Sequence, residues 1–283
     1  DRDPNHGQMT LKVDHIMREV TLKLHPENPI NGWHVPFNNK ASTTCASIRA
    51  IVLGLKYYKK EHYSLLCETV LEDARMTHNH PIGFLTAVAT ATFIAYAIRG
   101  EYSLKSWGVK MLKEMLPECI YTIKRTIRCM TDYVQYLDYF ESKWLSYLEI
   151  RKIDEDSLLS EDSESKTSND DPFFNQNYED SETRDIMYRS WSIDGRPGNS
   201  ACESLIIAYD AILWAEHNDP KDRWNKILDR SGLHGGVTYN SAALAGAIYG
   251  ALYGKVAVVR CNYVGMVYEK ELEKLAFDLV AGL

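Results

Sequence analysis

Between residues 76 and 98, and again between 231 and 254, the chain carries no Asp, Glu, Lys or Arg. Charge-free stretches of that length leave few options: each is a helix buried nearly all round or a membrane span. The first contains His78, His80 and Pro81; the second is rich in Gly and Ala and is broken by Gly235-Gly236. Neither is a continuous apolar run of spanning length, so two core helices are expected and no membrane insertion.

The rest of the pattern is helical as well. In 45–55, Ile48, Ile51, Val52 and Leu55 share a face; in 63–75, Leu65, Leu66, Val70 and Leu71 do the same. Within 84–98, Ala87, Ala91 and Ala95 recur at four-residue steps, a strip that lets another helix come close. Further helices fit 104–116, 120–150, 200–216, 222–231 and 266–281. After Asn240, the residues Ala242, Gly246, Gly250 and Gly254 fall on one line. Glycine costs helix stability, so this line is expected to be wedged against neighbours. No segment alternates with period two, and no βαβ pattern is present. The fold class is all-α.

The formal net charge is -7, but it is concentrated. Residues 154–185 hold twelve acidic residues against Lys166 and Arg184, so the remaining body is nearly neutral. That balance argues against a nucleic-acid partner. The segment reads as a disordered or surface insertion, and its serines beside acids (Ser157, Ser160, Ser163, Ser165) suit an acid-directed kinase. The organisation expected is one domain over 1–283 carrying that insertion. The six cysteines show no CxxC or Cys/His spacing, which points to reduced thiols in an intracellular, cytoplasmic protein rather than to zinc or disulfides.

Three clusters stand out. His78-Asn79-His80-Pro81 lies between two helices, where a turn with Pro81 at a helix N-terminus is favoured over a metal site. Ile193-Asp194-Gly195-Arg196-Pro197-Gly198 precedes a helix and could cradle a phosphate with backbone N–H groups, but as a bare pattern an ordinary turn is favoured. His234-Gly235-Gly236-Val237-Thr238-Tyr239-Asn240 runs into the small-residue helix, a place where anions or metal-ligand side chains are presented.

Taken in order, the stretches NGWHVPFN (31–38), ARMTHNHPIGFLTAVATATFIAYAI (74–98), ESKWLSYL (141–148), IIAYDAIL (206–213) and HGGVTYNSAALAGAIYGALYG (234–254) resemble the ADP-ribosylglycohydrolase family, in its ADP-ribosylarginine hydrolase branch. The resemblance covers most of the chain outside the acidic insertion. It implies an all-α fold with a binuclear Mg2+ site in a cleft, and hydrolysis of the N-glycosidic bond between ADP-ribose and arginine.

The departures from that pattern are specific. Active members read His-Gly-Gly-Asp-Xaa-Asp-Ser/Thr, with both Asp on the metals; here those positions are Val237, Tyr239 and Asn240. Mg2+ requires hard oxygen ligands, usually carboxylates and water, which Val cannot supply. The family's Gly-rich turn near the ribose-phosphate is here Ser42-Thr43-Thr44-Cys45, whose side chains would crowd a phosphate. The loop at Gly195-Arg196-Pro197-Gly198 is altered and about two residues longer. The family's Thr/Ser-Asp-Asp motif lies N-terminal to everything matched, and with Asp1 in place of a Met the chain is expected to lack its first helices.

The reading is therefore an inactive family member serving as a structural or interaction module within a larger assembly, cytoskeletal or organellar, with other proteins as partners and no cofactor. Its vestigial cleft is expected to comprise Ser42, Thr43, Thr44, Arg49, Trp191, Gly195, Gly198, Gly235 and Gly236, beside the former metal positions. Trp191, Trp214 and Trp224 are open to partner docking or core packing. Two alternatives stand beside it. One is an active Mg2+-dependent ADP-ribosylarginine hydrolase with relocated ligands. The other is a metal-free ADP-ribose binder that would draw on Arg49, Arg196 or backbone amides, a reading that the lost glycines disfavour.

Overall fold

The computed structural model describes residues 15–28, 32–126, 129–153, 180–218 and 221–282. Among these there are helices and turns and no strand, as the periodicity predicts. The hub is α4, Pro81–Arg99, in which every residue from Pro81 to Ala97 is buried. It is long and apolar enough to cross a membrane by length and composition, yet 94% of its most apolar window is buried inside the protein. Its ends are written in the sequence. His80 is the N-cap, its Nδ1 accepting the Ile82 N–H at 3.1 Å, Pro81 fills the first turn, and Gly100 closes the helix at φ 61°.

After a short α1, His15–Thr21, the helices α2, Cys45–Lys56, and α3, Tyr63–Arg75, pack on α4. The alanine strip does what its spacing predicts: a Cβ at Gly54 of α2 would lie 2.6 Å from the Ala91 carbonyl oxygen, so the two backbones meet there. A short α5, Trp107–Lys110, leads through a π turn at Met111–Met115 into α6, Leu116–Thr126. Pro117 has no N–H to return to the preceding turn, and the widened turn lies just before it.

The single helix expected over 120–150 is two. α6 stops at Thr126, Cys129 takes a left-handed conformation at φ 57°, and α7 runs Met130–Ile150. The buried Arg75 guanidinium reaches Thr126 Oγ1 at 3.2 Å and Tyr133 OH at 3.3 Å, one from each helix, and the chain bends round it.

Residues 180–185, assigned from composition to the acidic insertion, are ordered. Asp180 accepts the Thr183 N–H at 2.8 Å and starts α8, Ser181–Trp191. Arg184 donates to the Leu233 carbonyl at 2.6 Å and to the Asp229 carbonyl at 3.2 Å, so α8 docks on the C-terminal end of α10, Arg223–Gly232. Residues 154–179, with Ser157, Ser160, Ser163 and Ser165, lie outside the described residues.

Two further helices, α9, Ala201–Asn218, and α11, Thr238–Tyr253, close the bundle against α4, and α12, Glu269–Ala281, follows. The glycine line of α11 points the other way from expectation. Ser241, Leu244, Ala245, Ile248 and Tyr249 are buried, whereas a Cβ at Gly246 or Gly250 would meet nothing within 4 Å. Small residues in register permit a close neighbour but do not supply one. The core combines this aliphatic packing with a ring cluster in which Phe93 lies 5.1 Å from Tyr209 and 5.7 Å from Trp144.

Candidate functional site

Three segments far apart in sequence converge where α2, α9 and α11 begin. The Ala201 N–H donates to the Ser42 carbonyl at 2.8 Å, so the start of α9 is tied to the turn before α2. The Thr44 and Ser204 hydroxyls lie 3.2 Å apart, and Ser204 Oγ is 2.9 Å from the Gly198 carbonyl. That carbonyl also accepts from Asn240 Nδ2 at 3.0 Å. The Val237 N–H donates to the Pro197 carbonyl at 2.8 Å. Thr43 Oγ1 sits 2.9 Å from Nε2 of the buried His78.

Two glycines make that convergence possible. A Cβ at Gly236 would fall 2.0 Å from the Pro197 carbonyl oxygen, and Gly198, at φ 76°, would place one 2.7 Å from the Val237 carbonyl oxygen. The double-Gly turn is thus needed for one loop to lie directly on another. Gly195 is also left-handed, at φ 73°, but exposed with open space beside it; Gly235 is exposed too and lies near Asp185 and Arg189.

The loop 193–200 is closed on itself. The Ile193 N–H goes to Glu203 Oε1 at 2.7 Å, the Arg196 N–H to Asp194 Oδ1 at 3.0 Å, and the Asn199 N–H to the Arg196 carbonyl at 3.2 Å. The Ser200 N–H faces Glu203 Oε2 at 3.5 Å. Of the amides expected to cradle a phosphate, those of Ile193 and Arg196 are therefore turned onto the protein's own acceptors. Glu203 is buried, and desolvation pushes its carboxyl above the usual range, partly offset by these N–H donors. Neither Glu203 nor Ser204 stands out in the sequence, although Ser200-Ala201-Cys202-Glu203 before an apolar run has the capping-box spacing that would have marked it.

The second loop is anchored by His234. Its Nε2 is 2.8 Å from Ser241 Oγ, which itself donates to the Ser231 carbonyl at 2.7 Å, while Nδ1 is buried without a hydrogen-bond partner. Burial lowers the His234 pKa to about 4, and the same cause lowers His80 to about 4. The turn predicted for His78–Pro81 is thus present, with both imidazoles serving as structural polar groups.

Two expected cleft residues are elsewhere. Arg49 is pinned to α3, with Nε on Asp73 Oδ2 at 2.8 Å and Nη2 on the Asp73 carbonyl at 2.7 Å and Thr77 Oγ1 at 3.0 Å. A side chain held by three acceptors, two on Asp73 and one on Thr77 just beyond the helix, is directed away from a phosphate at the convergent loops. Trp191 is core: its ring lies 5.3 Å from Tyr147 and 5.1 Å from Tyr188, where its apolar bulk is best buried. A separate cavity of about 710 Å3 between α2 and α3, lined by Trp33, Leu53, Asp73 and Arg75 among others, includes none of the convergent residues.

At the positions that the resemblance assigns to two carboxylates and a hydroxyl, Val237 is half-buried, Tyr239 is 73% exposed, and Asn240 is turned inward onto Gly198. No group of three or more His, Cys, Asp or Glu able to share a metal ion occurs among the described residues. A divalent cation needs hard anionic oxygens; these three positions offer methyl groups, an exposed phenol and an amide already engaged. These residues do not fit Mg2+.

The sequence profile of the ADP-ribosylglycohydrolase family matches residues 6–283. The chain belongs to the ADP-ribosylglycohydrolase family. It is 35% identical over 282 residues to ADP-ribosylhydrolase ARH1 of Dictyostelium discoideum, covering 96% of this chain and 68% of that protein. It is also 22% identical over 268 residues to the putative ADP-ribosyl glycohydrolase L444 of Acanthamoeba polyphaga mimivirus, covering 88% of this chain and 46% of that protein. In this ADP-ribosylglycohydrolase domain the convergent loops, at the N-termini of three packed helices, form the candidate site.

Proposed function

We propose that this chain is a catalytically inactive ADP-ribosylglycohydrolase-like protein that acts as a structural or interaction module within a larger assembly. The observation that carries this reading is the replacement of the anionic ligand positions by Val237 and the exposed Tyr239, beside an Asn240 committed to the Gly198 carbonyl. Without those carboxylates nothing at this site offsets the cost of desolvating a divalent cation or activates water at an anomeric carbon. The Ile193 and Arg196 amides, already bonded to Glu203 and Asp194, and the side chains of Ser42–Thr44 weaken the ADP-ribose-binding alternative in turn. Six free thiols among the described residues suit a reducing, intracellular setting.

The test is an incubation of the protein with ADP-ribosylated arginine and Mg2+, following ADP-ribose release. The expected result is release at the uncatalysed rate; turnover abolished by a chelator would establish the active hydrolase reading instead. Calorimetry with ADP-ribose at millimolar concentration separates the third reading, for which heat of binding without turnover is the signature. Val237→Asp with Tyr239→Asp is expected not to create activity unless the Thr/Ser-Asp-Asp motif of the family is also supplied.

A further inference from the structure

The thirteen residues of α12 include none that is buried. Leu272, Leu275 and Val280 are 49%, 63% and 69% exposed. A helix of this length is marginal on its own hydrogen bonds in water and is normally held by burying its apolar side. Four apolar residues share one side, while Phe277, 73% exposed, lies near Lys270 on the other. At about 100° per residue, Leu272, Leu275, Ala276 and Leu279 fall within roughly 100° of arc, with Val280 at the margin. The exposed apolar surface continues through Val264, Met266 and Val267 just before the helix.

Charge is arranged round this stripe rather than scattered. Glu269 and Glu273 border one edge, Glu271 and Asp278 the other, and Lys270 and Lys274 lie on the back. The first edge already holds a cation. Lys255 Nζ, from the segment before the helix, is 3.5 Å from Glu269 Oε1 and also contacts Glu273. The second edge has no ion pair among the described residues. An apolar strip edged by acids on both sides complements a helix of the opposite sign.

We propose that the apolar face of α12 is a docking surface for an amphipathic helix of another protein, whose own apolar stripe is bordered by Lys or Arg. Lys255 marks on one edge the kind of contact that the partner makes on the other. The surface deepens the interaction role proposed above and rests on that reading for its use. The two fail separately: chelator-sensitive turnover would remove the interaction role, whereas the result below bears on this face alone.

The experiment titrates the full chain into a fluorescein-labelled helical peptide of about sixteen residues, with a Leu stripe flanked by Lys, and into the same peptide flanked by Glu. Anisotropy is expected to give at least about tenfold tighter binding for the Lys-flanked peptide at low salt, with the difference shrinking as salt rises. Glu271→Lys with Asp278→Lys should remove that preference, and Leu275→Asp should remove binding, with helical content by circular dichroism unchanged in the charge-reversed variant. Equal binding of the two peptides, or undiminished binding to the charge-reversed variant, would overturn the proposal. So would protection of the α12 amides from hydrogen exchange in the isolated chain, whether monomeric, meaning its own chain covers the face, or dimeric, meaning a second copy does.

Discussion

Arg151 and Asp210 meet at 2.6 Å, Nε to Oδ1, with both side chains 1% exposed. The same carboxylate accepts from Tyr147 OH at 3.2 Å and Tyr188 OH at 3.1 Å, and Arg230 Nη2 lies 3.5 Å from its other oxygen. One carboxylate on α9 thus joins groups from α8 and α10, together with Tyr147 of α7 and Arg151 just after it. Two buried guanidinium groups face this one carboxylate, so Asp210→Asn removes an anion that both share in the core. A loss of about 3–5 kcal/mol is expected in urea unfolding monitored by tryptophan fluorescence.

Acid stability should turn on the two neutral histidines. His80 and His234 have folded pKa values of about 4 against an ordinary value of 6.5, so between these limits the unfolded chain binds protons that the folded chain does not. Stability from this source is fully present above pH 6.5 and falls as pH drops toward 4, on the order of 2 kcal/mol for each histidine after allowing for solvent screening. Glu203 acts with the opposite sign, since its raised pKa favours the protonated form in the folded state as pH falls through the carboxylate range. Melting temperature measured from pH 7.5 to 4 should decline through the histidine window, and His234→Gln should flatten that decline.

Glycines with similar sequence contexts should behave oppositely. Gly54→Ala drives a methyl against the Ala91 backbone and is expected to cost about 1–3 kcal/mol. Gly246→Ala adds a methyl in open space within a helix and should stabilise by about 0.5–1 kcal/mol. Chemical denaturation of the two single variants checks both signs.

The contact between the two candidate-site loops should be broken by a single methyl. Gly236→Ala is expected to push 234–238 off Pro197, with a loss of about 1–3 kcal/mol and faster amide exchange at Val237, whose N–H is held by the Pro197 carbonyl. Gly195→Ala meets no atom and should leave Val237 exchange unchanged, its cost being confined to the φ of 73°. Hydrogen exchange read by NMR separates the two.

What the amino-acid order determined is what depends on near neighbours. The charge-free run 76–98, interrupted by His78, His80 and Pro81, pointed to a buried helix, His80-Pro81 fixed where it starts, and the motif order placed the chain in its family before any contact was known. The tertiary structure decided everything that depends on which face meets which neighbour. Arg49 looked like a ligand contact until Asp73 and Thr77 claimed it, and Trp191 looked like a cleft residue until Tyr147 and Tyr188 enclosed it. The Gly246–Gly250 line looked like a packing seam and faces outward. The helix over 120–150 broke round Arg75, and the last residues of the acidic stretch became a capped helix. Helical periodicity records that a face is apolar or small; only the packed chain supplies the atoms that cover it or leave it bare.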